Sequence, residues 1–352
     1  MEPLVSIVTP VYNGERYLGE CIESVLAQTY QTWDFTIVNN CSTDKTLEIA
    51  WEYAARDSRI RIHNNTAFLP AIANHNVAFR QISGASKYAK AVFADDWLFP
   101  ECLERMVSVM EANPSVGIVG AYGLRGGTVM WTGLPYPSTV VSGHDICRLR
   151  FLEGPYLLGT PTSHLIRSDL VFARSPFYDE SILHADTDAC MDLMRVSDFG
   201  FVHQVLTYFR DWPDSRTARS EWLNTLIAGE LHDLIKYGEY FLTAEEFERC
   251  LKNHVWRYYR FLAVSALQGR DREFWDYHER QFAETGMQLS RLRVARSLVV
   301  VLQDMVLNPK RTFDQIRSGN SVLTGRFRKW KAAKAARVRG SSGMFENGRV
   351  SA

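Results

Sequence analysis

Residues 5–14, Val-Ser-Ile-Val-Thr-Pro-Val-Tyr-Asn-Gly, form an apolar run that ends in a turn sequence. Residues 15–28 follow with apolar side chains at helical spacing, and residues 33–38 form a second apolar run. This order of strand, helix and strand is typical of a βαβ unit, which builds a parallel sheet. Ligands of such sheets bind beyond the carboxyl ends of the strands, so the residues after each strand are the first site candidates.

The alternation of strand and helix patterns continues to about residue 121. It predicts helices over 43–55, 71–81 and 100–113, and strands over 60–63, 88–94 and 116–121. Glycine and proline are frequent in 123–143 and 154–162, which favours irregular loops there. Beyond about residue 220 the pattern is helical, and Thr243–Glu246 reads as a capping box. The sequence therefore predicts an α/β domain followed by a helical extension.

An acidic pair, Asp95-Asp96, follows the apolar run 88–94 and precedes the helical pattern that begins near Pro100. Adjacent carboxylates at the end of a buried strand repel each other and lose hydration, so a cation or a hydroxyl-rich ligand is expected to compensate them. A hard divalent metal that holds a diphosphate suits this arrangement. The simpler interpretation is that the two acids cap the following helix.

Four segments resemble, in order, the motifs of family 2 glycosyltransferases with the GT-A fold. They are Ser-Ile-Val-Thr-Pro-Val-Tyr-Asn at 6–13, Ser-Val-Leu-Ala-Gln-Thr-Tyr at 24–30, Val-Asn-Asn-Cys-Ser-Thr-Asp at 38–44 and Ala-Asp-Asp-Trp at 94–97. The resemblance covers about the first 210 residues. It implies a Rossmann-like nucleotide-diphospho-sugar transferase domain with a mostly parallel central sheet.

The resemblance also implies a donor-binding segment after the first strand, where a backbone edge can meet the nucleotide base. The residues concerned are Thr9, Pro10, Val11, Tyr12 and Asn13. An ordinary βα turn is the alternative for this segment.

The base itself is expected near Asn40. Relatives usually have two aspartates where this chain has Asn39 and Asn40, and the second accepts a hydrogen bond from the uracil imide. An amide can still accept that bond and can also donate one, so the identity of the base is open.

By the same resemblance, Asp95 faces the donor ribose and Asp96 coordinates Mg²⁺ or Mn²⁺, which bridges the phosphates. The chain departs from the commonest family pattern, because Phe93 stands where another aspartate precedes the pair. Arg80, Lys87 and Lys90 are further candidates for phosphate contacts, with solvated surface cations as the alternative.

Two later residues complete the predicted site. Asp186 matches the family acid that faces the anomeric carbon and acts as the general base, with Asp188 as the nearest rival and a helix cap as the alternative role. Arg210 matches a loop that folds over the donor and is expected to contact the phosphates, and Trp212 in the same loop either covers the sugar or packs.

Charge is distributed unevenly along a chain whose 40 basic and 40 acidic residues balance. Residues 1–290 hold 26 Lys and Arg against 37 Asp and Glu, and residues 291–352 hold 14 against 3. Residues 326–339 read as a basic helix carrying Phe327 and Trp330, which suits an anionic membrane surface. A solvated tail is the alternative interpretation, and no nucleic-acid-binding module precedes this segment.

Composition places the chain among globular enzymes. Its 352 residues are 46% hydrophobic, which is enough for a large core. The six cysteines have no close pair, so neither a disulfide framework nor a zinc site is expected. No segment approaches the length of a membrane span and no leader precedes the first strand, so we expect a cytoplasmic protein with peripheral contact at the inner face of the membrane.

We therefore expect three parts: a GT-A domain at 1–215, a helical extension at 216–308 and a basic tail at 309–352. The expected activity is inverting transfer of a sugar from a nucleoside diphosphate donor, a UDP-sugar by the family pattern, to a hydroxyl of a cell-surface polysaccharide or lipid-linked glycan. The alternative is a non-catalytic GT-A protein that binds a nucleotide sugar or a partner glycosyltransferase, which Asn39, Asn40 and Phe93 favour.

Overall fold

The computed structural model of the chain describes residues 2–182, 184–210, 220 and 222–308. The predicted boundary at residue 215, Trp212 and the basic tail 309–352 lie outside these residues. The described residues form two compact units: the first lies within residues 2–210 and 237–243, and the second within residues 220–236 and 244–308.

The first unit is an α/β structure whose elements follow the predicted order. Its strands are β1 (Val5–Val11), β2 (Trp33–Asn39), β3 (Ile60–Asn64), β4 (Tyr88–Ala91), β5 (Trp97–Leu98), β6 (Val116–Arg125), β7 (Thr128–Met130), β8 (Val140–Val141), β9 (Leu165–Arg167) and β10 (Asp198–Phe209). Its helices are α1 (Leu18–Leu26), α2 (Thr46–Arg56), α3 (Ala71–Phe79), α4 (Cys102–Ala112), α5 (Gly143–Phe151), α6 (Ser168–Phe172) and α7 (Ala185–Leu193), with a 3₁₀ turn at Pro161–Ser163. The early predicted helices and strands are confirmed, with shifts of a few residues at their ends.

One large sheet runs through this unit in the order β3-β2-β1-β4-β9-β6-β10-β5, with β7 beside β6 and β8 beside β10. The parallel pairings, β1 with β2 and β4, β2 with β3, and β6 with β10, join four to nine residue pairs each. The antiparallel pairings join only two or three pairs each. The sheet is therefore mostly parallel, as predicted, and its β1, β2 and β4 carboxyl ends share one edge.

Strand β4 is shorter than predicted and ends at Ala91 instead of residue 94. The Val92 carbonyl accepts a hydrogen bond from the Thr9 hydroxyl, and the Phe93 N–H donates to the Thr162 hydroxyl instead of to a neighbouring strand. The Asp96 N–H donates to the Phe93 carbonyl. The acidic pair therefore lies in a turn between β4 and β5, outside the strand.

The second unit is helical, as predicted for the chain beyond residue 220. Its helices include α9 (Ala244–Leu267), which begins directly after Thr243, α10 (Arg272–Glu284) and α11 (Arg291–Leu307), and α8 (Thr225–Phe241) contributes its residues to 236. No helix in the described part of the chain combines the length and the apolar character that crossing a bilayer requires.

His278 lies at the centre of the second unit's core and is fully buried. The Tyr258 hydroxyl donates to its Nδ1 at 2.6 Å, and its Nε2 donates to the Leu223 carbonyl at 2.9 Å. The neutral ring with its proton on Nε2 satisfies both partners, and burial lowers its pKa to about 3.

This histidine makes the unit sensitive to acid. The unfolded chain binds a proton at His278 below about pH 6.5 while the folded unit does not, so stability falls as pH drops. We expect His278 to account for about 2 kcal/mol of the loss in unfolding free energy between pH 7 and pH 5. Urea unfolding of the wild type and His278→Gln at both pH values measures it. The variant is expected to be less stable at pH 7 but less dependent on pH, and an unchanged dependence contradicts the assignment.

Candidate active site

The candidate site lies where β1, β2 and β4 end, because the acidic turn follows β4 at that edge of the sheet. Asp96 is only 6% exposed, and its Oδ2 accepts a hydrogen bond of 2.6 Å from the Thr162 hydroxyl. Burial, and then the charge of Asp95, raises the pKa of Asp96 to about 8. The Thr162 hydroxyl and the backbone N–H of Arg210 oppose that shift only in part. A bound cation would offset both the burial of this carboxylate and its repulsion by Asp95, so the position is well suited to hold one.

Arg210 lies at the same turn, as expected of a residue near the donor. Its Nε donates to the Asp95 carbonyl oxygen at 3.0 Å, and its Nη2 forms an ion pair of 2.5 Å with Glu20. The guanidinium also lies 4.0 Å from the ring centre of Tyr17 and 5.0 Å from that of Trp97. The structure thus brings Arg210 to the acidic pair, but Glu20 occupies the guanidinium edge that a phosphate would use.

The predicted base-binding segment differs from expectation because β1 continues to Val11, which pairs with Asn39 of β2. Thr9, Pro10 and Val11 are therefore buried strand residues and do not follow the strand. Tyr12 and Asn13 do follow it and are exposed. Asn13 adopts a positive φ of 50° and accepts a hydrogen bond from the Thr43 N–H, so its amide oxygen joins the first two loops.

An aromatic pair stands beside this segment. The rings of Tyr12 and Phe68 meet edge to face with their centres 4.8 Å apart, and 49% and 60% of their surfaces are exposed. Exposed aromatic faces at the end of a parallel sheet can stack on a nucleobase. Tyr12 belongs to the predicted donor-binding segment, whereas Phe68 was not predicted because it follows β3 without a motif.

Asn40 is engaged by the protein itself and is only 2% exposed. Its amide oxygen accepts from the Asn65 side chain and the Leu69 N–H, both at 3.0 Å, and its amide nitrogen donates to the Leu69 carbonyl at 2.9 Å. Asn65 also donates to Asn74, which extends the network to α3. The amide of Asn40 therefore ties the loop after β2 to the chain before α3.

The structure separates Asp186 from Asp188, which are both in the first turn of α7. Residues two apart project from different sides of a helix. Asp188 is fully buried, pairs with Arg174 at 2.6 Å and accepts from the Tyr237 hydroxyl at 2.9 Å. Asp186 is partly exposed. Burial raises the pKa of Tyr156 and Tyr178, and the nearby charge of Asp186 raises both pKa values further. The two carboxylates therefore have different surroundings.

One segment, residues 156–164, contacts both ends of the candidate site. Thr162 binds Asp96, as described, while the Tyr156 hydroxyl lies 3.1 Å from the Thr187 hydroxyl next to Asp186. The glycine and proline content of residues 154–162 indicates only an irregular loop, because the contacts of this segment are with residues far away in the chain. It joins the surroundings of the acidic turn to those of α7.

Lys90 also departs from expectation. It was a candidate for a phosphate contact or a solvated cation, but it is fully buried and its ammonium donates to backbone carbonyls. Lys87 is a surface residue paired with Glu111 at 2.6 Å. The signal that could have identified Lys90 is a single cation inside the apolar run 88–94.

Comparison with known proteins shows the family to which this sequence is similar. Residues 6–179 match the profile of glycosyl transferase family 2. The putative glycosyltransferase EpsE of Bacillus subtilis is 33% identical over 153 residues, which is 41% of this chain and 54% of that protein. An uncharacterized glycosyltransferase of Haemophilus influenzae is 36% identical over 34% of this chain and 36% of its own length. The matches thus span about half of these relatives or less.

Solved structures extend the likeness of fold over most of the chain. S. aureus TarS 1–349 in complex with UDP-GlcNAc has a TM-score of 0.60 at 14% identity, with 94% of this chain and 92% of that chain covered. The mannosyltransferase PcManGT from Pyrobaculum calidifontis, in complex with GDP-Man and Mn²⁺, has a TM-score of 0.53 at 14% identity and covers 94% and 87%. Through residues 6–179 the chain belongs to glycosyl transferase family 2, and its α/β unit has the GT-A fold.

Proposed function

We propose that the protein is an inverting, metal-dependent glycosyltransferase that moves a sugar from a nucleoside diphosphate donor to a glycan hydroxyl. The observation that carries the proposal is the pairing of two unlike carboxyl sites: buried Asp96 in the acidic turn and partly exposed Asp186 at the start of α7. Segment 156–164 contacts the surroundings of both. Donor binding and proton removal would use different carboxylates.

The acidic turn fits a hard divalent cation. In the described residues no group of three or more His, Cys, Asp or Glu side chains is placed to hold a metal by itself. Mg²⁺ is commonly bound through one or two carboxylates together with substrate phosphates, and Asp96 with neighbouring Asp95 supplies such a set. When bound, Mg²⁺ or Mn²⁺ would neutralise the diphosphate and the charge that develops on the leaving group.

The remaining roles, which are donor contact and proton removal, would fall to different side chains. Asp95 would contact the ribose, and Arg210, released from Glu20, would reach the phosphates as a bidentate donor. Asp186 would take the proton of the acceptor hydroxyl while that oxygen bonds to the anomeric carbon from the side opposite the leaving diphosphate. The bond from the anomeric carbon to the diphosphate oxygen breaks as the new bond forms, which inverts the configuration.

The donor base is proposed to rest on the exposed Tyr12 and Phe68 pair. Because the protein satisfies the amide of Asn40, we propose that this residue shapes the pocket and that backbone groups read the base edge. The structural neighbours carry UDP-GlcNAc and GDP-Man, so both bases belong in a test.

The acceptor is proposed to be a hydroxyl of a polysaccharide or a lipid-linked glycan. The 14 basic residues among 291–352 would favour contact with an anionic membrane surface, where a lipid-linked acceptor lies. Exposed apolar residues of α11, among them Leu292, Val299 and Val306, would add to that contact.

A nucleotide-sugar panel tests the proposal. We expect one or a few UDP- or GDP-sugars to raise the melting temperature of the full chain in Mn²⁺ but not in EDTA, because ligands that bind only the folded state stabilise it. The same donors should then be hydrolysed or transferred. Stabilisation without any turnover, with all acceptors tried, supports the second candidate, a non-catalytic nucleotide-sugar-binding protein, which the protein-satisfied amide of Asn40 favours.

A further inference from the structure

Lys90 is a fully buried cation in β4, and its ammonium has a complete set of partners. It donates to the Thr162 carbonyl at 2.5 Å and to the His164 carbonyl at 2.9 Å, and it lies 4.0 Å from the Met106 sulfur. Burying an ammonium is costly even when it is well paired, and an apolar side chain of similar volume often stabilises as much or more. Stability alone therefore does not explain a lysine at this position.

Both carbonyls belong to the segment that reaches the acidic turn. Thr162 uses its carbonyl for Lys90 and its hydroxyl for the turn, since the hydroxyl accepts from the Phe93 N–H at 3.1 Å and donates to Asp96 at 2.6 Å. Thr162 is itself fully buried. Lys90, Thr162 and Asp96 thus form a continuous chain of contacts from the interior of the sheet to the candidate metal ligand.

We propose that Lys90 is a positioning residue for donor binding: by holding the Thr162 carbonyl it places the Thr162 hydroxyl, which orients the Asp96 carboxylate toward the metal and diphosphate. The inference rests on the proposed function of the acidic turn. Lys90 would then support the site through Thr162 and would not contact the donor phosphates. The residue touches neither donor nor metal, so it acts only through Thr162.

Electrostatics supports the same arrangement. Burial lowers the pKa of Lys90, and the neighbouring Cys102 and Asp96 groups counteract part of that effect. The cation is therefore close enough to Asp96 to feel its charge.

The test measures binding of Mn²⁺ together with UDP or GDP, whichever the wild type binds, by calorimetry and by the electron paramagnetic resonance of free Mn²⁺. Lys90→Met and Thr162→Val are each expected to weaken that binding about 10- to 100-fold, the usual effect of removing a residue that orients a metal ligand. Lys87→Met, which removes a surface lysine just before the same strand, is the matched control and should bind like the wild type.

Coupling separates positioning from a general loss of structure. Because Lys90 and Thr162 act through one contact, the double variant should bind about as weakly as either single variant. Thr162→Ser keeps the hydroxyl and should restore most of the affinity. The melting temperature of Lys90→Met is expected to stay close to the wild type or to rise. Thr162→Val is expected to melt at a somewhat lower temperature but to remain folded, because it leaves the Phe93 N–H and the Asp96 carboxyl without this partner.

Each outcome decides a separate claim. A wild-type chain that binds no Mn²⁺ with either nucleotide overturns the proposed function. A wild type that binds, combined with folded Lys90→Met of equal affinity, overturns the role of Lys90 alone, as does a double variant whose losses multiply. Should Lys90→Met fail to fold, Lys90→Gln takes its place, and wild-type affinity in Thr162→Val overturns the proposal regardless of the Lys90 variants.

Discussion

Asp96→Asn is expected to lose metal-dependent donor binding and to reduce sugar transfer by about 10³-fold or more, since a metal at this site would supply several kcal/mol of stabilisation in the transition state. The substitution keeps the size of the side chain and a group that can bond to Thr162. Transfer rates with Mn²⁺ and with EDTA, together with donor affinity, measure the effect. Full wild-type activity in EDTA contradicts the role of the metal.

The same variant should fold at least as well as the wild type. Because burial and Asp95 raise the pKa of Asp96 from 3.8 to about 8, the folded state binds this proton more tightly than the unfolded chain. Stability therefore falls as pH rises from about 4 to about 8, and asparagine removes that loss. Asp145→Asn, at a side chain that is 69% exposed on α5, is the control and should leave activity unchanged, with only a small loss of stability because Ser142 and His144 hold its carboxylate. A destabilised Asp96→Asn would show that the carboxylate supports the fold.

Asp186→Asn is expected to slow the chemical step by about 10² to 10⁴-fold with donor affinity and melting temperature little changed. Asparagine keeps the size of the residue at the start of α7 but cannot take the acceptor proton. Single-turnover rates and donor binding separate the two effects. Because Asp186 is partly exposed, we expect this change to cost little stability.

Asp188→Asn is the matched variant two residues away and should behave differently. It removes the charge that Arg174 pairs with at 2.6 Å inside the protein, so we expect a loss of about 3 kcal/mol in unfolding free energy. Any loss of activity should then be proportional to the loss of folded protein. An inactive but stably folded Asp188→Asn, beside a fully active Asp186→Asn, would transfer the role of base to Asp188.

Local patterns were sufficient for the order of the elements. The apolar runs of β1, β2 and β3, and the helical periods between them, depend on side chains a few positions apart, so the chain itself reports them. The adjacent acids at 95 and 96 were visible for the same reason, whereas Asp186 was predicted from the resemblance to the family and its role stays a prediction. The end of β4 could not be predicted in this way, because the Phe93 N–H donates a hydrogen bond to Thr162, which lies 69 positions away in the chain.

The family, the α/β order and the positions of the acidic pair follow from the amino-acid sequence alone. Tertiary structure decided what each polar residue touches: Asp188 meets Arg174 and Tyr237, Asn40 meets Asn65 and Leu69, and Lys90 meets Thr162. These partners lie from 14 to 72 positions away, and no short-range pattern specifies them. The physical reason is that periodicity sets which face of an element is buried, whereas the groups that meet a buried charge are set by how separate elements pack.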